Sequence, residues 1–250
     1  MKTLRLAAAS PPGRPAALRR PSKRRPLPRG LSLVELMVGI TVGLFIVAAA
    51  TVLVAGQLGE NRKLMLDTQL QQDMRATADI ITRELRRVGA WRDAQNGLAY
   101  PSAESQENLF ATMTPSAAGT VNDVTFLYDR STTEQGPWGF RLNTATGVIQ
   151  TRLGPSVSWQ DLTDRNVMQV TAFSIQIERE PGQVLPCPRL CPSGDTSCWP
   201  VLQVRNFVVT IQARSRTDAS ITRSIRSTAR ARNDWIEFRT SGSPKPACPS

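Results

Sequence analysis

Between Glu35 and Glu60 the chain carries no charged side chain, and Leu, Val, Ile and Ala dominate residues 36–59. At roughly 1.5 Å per residue that run reaches about 36 Å as a helix, enough to cross a hydrocarbon core of roughly 30 Å. It is apolar on every side, as a membrane span should be. Beyond it the pattern turns amphipathic. Leu66, Leu70, Met74, Ala78, Ile81, Leu85 and Val88 recur at three- and four-residue steps, while Asp67, Asp73, Arg75, Asp79, Arg83, Glu84, Arg86 and Arg87 mostly take the other faces. No proline interrupts residues 31–100, so the spacing predicts one helix from Leu31 to about Val88, stopped by a left-handed residue at Gly89. Two helices joined near Gly56–Gly59 are the alternative.

Residues 92–120, rich in Ser, Ala, Asn, Gly and Pro, read as an irregular connector. After it the period falls to two. Asp123–Asp129, Trp138–Leu142, Val148–Leu153, Val167–Glu178, Val201–Arg214 and Ser220–Arg232 are the strand candidates, the second and third forming a hairpin across residues 143–147. The predicted class is α+β: a long N-terminal helix, half in a membrane and half packed on an antiparallel sheet. The segments are a basic leader (1–30), a membrane helix (31–59), an amphipathic helix (60–91), the connector (92–120), a sheet domain (121–239) and a tail (240–250). A Pro-, Gly- and Cys-rich loop at 181–200 interrupts the sheet domain.

The net charge of +11 is concentrated at one end. Nine of the 31 Lys and Arg fall in residues 1–30 with no acid among them, leaving 22 against 20 acids for the rest. Poor in aromatic and β-branched residues, this leader cannot bury enough apolar surface to fold. A basic flank before an apolar run is retained on the cytoplasmic side, which places the remainder across the membrane. Cys187, Cys191, Cys198 and Cys248 all lie in that exported part. Four cysteines there predict two disulfides with three possible pairings, at least one bond tying the cluster back to Cys248. The irregular C-x3-C-x6-C spacing argues against zinc.

The chain has no histidine, which removes the commonest general base and metal ligand, and it shows no phosphate loop and no G-x-S-x-G elbow. The expectation is a protein without catalytic, metal or cofactor chemistry. Arg214 with Arg216, and Arg230 with Arg232, stand at strand spacing, so each pair would share a face and could track phosphates. A solvated outer face, or contact with an acidic partner, is the plainer reading of those four.

Glu35, at the edge of the apolar run, needs a partner, because a carboxylate near the bilayer centre costs on the order of 2.5–3.5 kcal/mol. The stretch Arg29-Gly30-Leu31-Ser32-Leu33-Val34-Glu35-Leu36 resembles the processing site of type IV prepilins. The resemblance implies cleavage after Gly30 by prepilin peptidase, methylation of Leu31 as the new first residue, and Glu35 as the fifth mature residue. Leu31 departs from the family's usual Phe. Gln69–Trp91 and Ser227–Asn233 are similar to segments of PilW-type minor pilins, which implies a low-copy subunit of type IV pilus assembly. The N-terminal features are shared with pseudopilin J of type II secretion. The implied partners are other minor and major pilins, prepilin peptidase, the inner-membrane assembly platform and membrane lipid. DNA is the weaker alternative. The implied location is the inner membrane, single-pass with a periplasmic C-terminal domain, and then the fibre.

The chemistry of such assembly can be reasoned independently. Cleavage would create an ammonium group at the head of an apolar helix, and a neighbour's Glu35 could pair with it. Removing one partner of a buried pair costs roughly 3–5 kcal/mol. Gly39 and Gly43, spaced as G-x-x-x-G, would let helices approach closely.

Overall fold

Ser32 stands just before helix α1 (Leu33–Leu85), and its carbonyl accepts the first helical hydrogen bond from Leu36 N at 3.1 Å. The computed structural model describes residues 30, 32–98, 106–116, 118–131, 135–154, 156–241 and 245–249. The leader up to Arg29 and the predicted modification site Leu31 lie outside the described residues. Helix α1 passes Gly56 and Gly59 as one element, so the two-helix alternative is set aside. It closes at Leu85, short of the expected Val88. The chain leaves it in a tightened turn, with Arg87 N bonded to Glu84 O and Val88 N to Leu85 O, each three residues back. Gly89 takes φ +75°, a conformation glycine adopts without a Cβ clash, and its amide donates to Leu127 O.

Two units divide the chain, Met1–Val54 and Ala55–Ser250. In the first, every described residue is exposed. The second contains all the strands. After α2 (Gln95–Leu98) and a 3-10 turn at Leu109–Ala111 come β1 (Met113–Thr114), β2 (Gly119–Val121), β3 (Asp123–Phe126), β4 (Trp138–Asn143), β5 (Val148–Leu153) and β6 (Gln160–Asp161). Then follow β7 (Met168–Arg179), β8 (Gln183–Val184), β9 (Val201–Gln203), β10 (Arg205–Ser215), β11 (Thr222–Arg230) and β12 (Trp235–Glu237). Among the described residues all pairings are antiparallel, in three sheets of order β1-β3-β4-β5-β6, β11-β10-β7-β2 and β12-β9-β8.

The α+β architecture is the expected one, with three differences in detail. The stretch read as a connector holds β1 and the start of β2, whose partners β3 and β7 lie later in the chain. Strands of two or three residues are too short to show a period. The single sheet is three. The run Val201–Arg214 divides at Val204, where the chain passes from the β9 sheet to the β10 sheet. Burial stays on odd-numbered positions across the break (Val201, Arg205, Phe207, Val209, Ile211, Ala213), so alternation could not reveal it.

The core forms where the second half of α1 meets the sheets. Leu70, Met74, Ala78, Ile81, Leu85 and Val88 are at most 1% exposed and join one cluster with Val124, Phe126, Phe140, Phe173, Ile175, Ile177, Phe207, Val209 and Ile211. Fully burying such side chains contributes roughly 1.5–3 kcal/mol each. Strand β7 serves this core on two parities: Met168 and Val170, then Phe173, Ile175 and Ile177. The switch falls at Thr171, passed over where Gln212 pairs with Ala172 and Ala213 with Val170.

Candidate assembly site

Gly30 and Glu35 sit at the head of α1. Glu35 lies in the first turn, near the partial positive charge of the unsatisfied amides, where a carboxylate is favoured. Ser32 before the helix and Glu35 three residues on also have the spacing of a capping box. Both residues are exposed, as is every described residue from Ser32 to Met65. A Cβ added at Gly39 or Gly43 would meet nothing within 4 Å. Among the described residues nothing occupies the space beside the glycine pair. The first half of α1 is long and apolar enough to cross a membrane, and none of it is buried within the chain. Large side chains such as Leu44, Phe45, Val52 and Leu53 are each at least 67% exposed. In water that surface would be costly. In a bilayer or among other helices it is the expected composition.

The second half of α1 is anchored firmly. Tyr128 Oη donates to Glu84 Oε2 at 2.7 Å in a buried bond, and Arg87 Nη1 donates to both Glu84 oxygens at 3.2 and 3.3 Å. Burial and then the bond to Glu84 push the Tyr128 phenol up to about 12. The Tyr128 ring stacks on Trp138 at 4.7 Å, so the network is continuous with β4. Further along, Arg223 of β11 reaches Asp67 of α1 at 2.7 Å. At the helix exit, Arg232 N donates to Arg86 O at 2.9 Å and Ala231 N donates to Arg205 O at 3.0 Å. Gln69–Trp91 and Ser227–Asn233, the two segments singled out by resemblance, are thus hydrogen-bonded to each other.

The four cysteines form Cys187–Cys248 and Cys191–Cys198. Cys187–Cys248 ties the loop between β8 and β9 to the tail. Cys191–Cys198 closes a small loop in which Asp195 accepts from the hydroxyls of Ser193 and Ser197.

The four candidate arginines are dispersed. Strand β10 ends at Ser215 and β11 at Arg230, so Arg216 and Arg232 lie past the strand ends and neither pair continues a strand face. In the ladder Arg214 pairs with Thr222 and Arg230 with Asn206, placing the two sites roughly 26 Å apart at about 3.3 Å per residue. Arg214 and Arg216 both donate to Gln169 Oε1, and Arg230 pairs with Asp234 at 3.3 Å. They form no continuous phosphate track.

Composition obscured one residue. Arg205 is 1% exposed, on the buried parity of β10 beside Phe207 and Val209. A cation in step with a strand's apolar positions is the signal available in the sequence.

A long exposed apolar helix whose continuation packs on antiparallel sheets defines a pilin-like protein. Residues 63–231, more than half of the chain, match the family described as prepilin peptidase-dependent protein B, and the chain belongs to that family. It is thus a pilin-related, prepilin peptidase-dependent protein; the match begins after the membrane-length run. No curated protein and no solved structure matches the chain.

Proposed function

We propose that this protein is a minor pilin of the PilW type, working by assembly rather than catalysis. Prepilin peptidase cuts after Gly30, Leu31 becomes the methylated N-terminus, and the protein waits in the inner membrane with its C-terminal domain in the periplasm. It then enters a type IV pilus at low copy, in a priming or tip complex with other minor pilins, through the assembly platform. The observation that carries this reading is the stretch from Ser32 to Met65: an exposed helix headed by one carboxylate and a glycine pair, with no partner among the described residues. Family membership supports the dependence on the peptidase.

In a filament, the Leu31 ammonium of one subunit faces Glu35 of another. Pairing the two offsets much of the desolvation of each, and it sets the axial register because a shifted subunit leaves both charges bare. Gly39 and Gly43 let the paired helices close up.

Mass spectrometry of protein taken from membranes tests the processing step. A methylated Leu31 terminus is expected; an intact leader, or a terminus elsewhere in the chain, refutes the proposal. Glu35→Leu should still be cut but fail to enter fibres, and equal incorporation would remove the charge pair from the mechanism. Co-purification with secretion-system subunits in place of pilus subunits would reassign the protein to the pseudopilins.

A further inference from the structure

Strand β11 ends its sheet and is nine residues long. Among the described residues the other strands at sheet ends, β1, β2, β6, β8 and β12, have two or three residues each. Short terminal strands blunt a sheet edge, whereas a long one leaves a row of bare amides and carbonyls. Strand β11 carries no proline, and its register with β10 runs unbroken from Thr222 to Arg230. Neither a bulge nor a proline turns this edge away.

The ladder fixes which groups face outward. Ala231 N donates to Arg205 O and Ser215 N to Ile221 O, so the odd-numbered positions of β11 exchange bonds with β10. The backbone groups of Ser224, Arg226, Thr228 and Arg230 therefore point away from β10, and they have no hydrogen-bond partner among the described residues. At the strand's start, Thr222 O accepts from Arg223 Nη1 at 2.9 Å. The side chains of Thr222, Ser224, Arg226, Thr228 and Arg230 share one face, and all five residues are exposed. Ala229 is buried and Ile225 packs on the core from the opposite face.

Charge selects what could lie along this edge. Arg223 reaches Asp67 and Arg230 reaches Asp234, which leaves Arg226 without an acid among the described residues. Its neighbour across the ladder is the neutral Thr210, followed by Ser174. A second copy of β11 would add arginines and no acid. Opposite charges directly across a ladder are favourable.

We propose that β11 accepts an extended strand from a different polypeptide, with a carboxylate opposite Arg226. Backbone bonds to the bare positions supply affinity, and the carboxylate pins the register. Resting on the assembly role proposed above, the donor is a neighbouring subunit of the fibre.

The test uses the full chain in neutral detergent micelles and a labelled probe, acetyl-Thr-Val-Thr-Val-Glu-Val-Thr-Val-Thr-amide, followed by fluorescence anisotropy. In antiparallel register its glutamate meets Arg226 and its threonines meet the other outward positions. Saturable binding is expected, about threefold weaker when lysine replaces the glutamate. Arg226→Glu should reverse that preference. Thr228→Pro removes an outward amide and no bond to β10, so near-ultraviolet circular dichroism should be unchanged while binding falls about tenfold. No saturable binding, equal binding of the lysine probe, or full binding by Thr228→Pro overturns the proposal. Concentration-dependent dimers abolished by Thr228→Pro would make a second copy the occupant and overturn it as well. The measurement needs no fibre, so failed processing at Gly30 would leave its result standing, and a silent edge would leave processing untouched.

Discussion

Replacing Cys187 and Cys248 by serine should cost the globular unit more stability than replacing Cys191 and Cys198, and loop length sets the difference. The bridged residues are 61 positions apart in one case and 7 in the other. In the chain-entropy treatment, closing loops of those lengths in the unfolded state gives about 4 and about 2 kcal/mol at 25 °C. The constant part of that expression cancels between the pairs, so the gap of about 2 kcal/mol is the firmer quantity. The longer bridge also joins the loop between β8 and β9 to the tail, where Ala247 and Cys248 are buried. Releasing it also exposes that buried surface, which adds to the cost. All five tryptophans follow residue 90 and so lie in the second unit, and urea unfolding of the full chain in micelles, followed by their fluorescence, reports that unit alone. Both double-serine proteins are compared with wild type under non-reducing conditions, reading the midpoint and slope together. Equal costs, or a larger cost for the 191–198 pair, would refute the reasoning.

Tyr128 supplies a pH test: its folded value of about 12 exceeds its ordinary 10.0, so its stabilisation is whole below pH 10 and falls as pH rises from 10 to 12, by about 2–3 kcal/mol. Tyr128→Phe should lack that fall, and since Arg205 titrates in the opposite sense, the difference between the two profiles is what is measured. Gly139→Ala should be strongly destabilising in the same urea assay, because a Cβ there would lie 2.6 Å from Val124 O on the neighbouring strand; Gly39→Ala, with open space around it, should unfold like wild type. Ile81→Ala, at a fully buried position, should cost about 2–5 kcal/mol. Arg223→Ala, removing a half-exposed ion pair to Asp67, should cost about 1 kcal/mol or less, and a larger loss would mean the pair orders the helix as well.

Periodicity made the elements legible where they were long. The stripe from Leu70 to Val88 is the buried stripe, and the hairpin of β4 and β5 falls where the turn at 143–147 places it. Short-range pattern failed where pairing is decided at a distance. Strands β1 and β2 exist only because β3 and β7 offer backbone partners, and the bulge at Thr171 moves β7 from one parity to the other in mid-strand. The arginines show the same division. Spacing placed two pairs on shared faces, but strand ends and local acceptors dispersed them, and the paired cations are Arg179 and Arg205, 26 positions apart in the chain.

What the sequence determined by itself was everything set by local composition and charge. An uncharged run of membrane length, a basic flank, a lone carboxylate after a glycine and a helical apolar stripe depend only on neighbours within a turn or two. Tertiary structure decided which cysteines meet, how the strands divide among three sheets, and that one arginine is sealed in a core position against another. Those outcomes depend on contacts between residues distant in the chain, each favourable only once the others have formed.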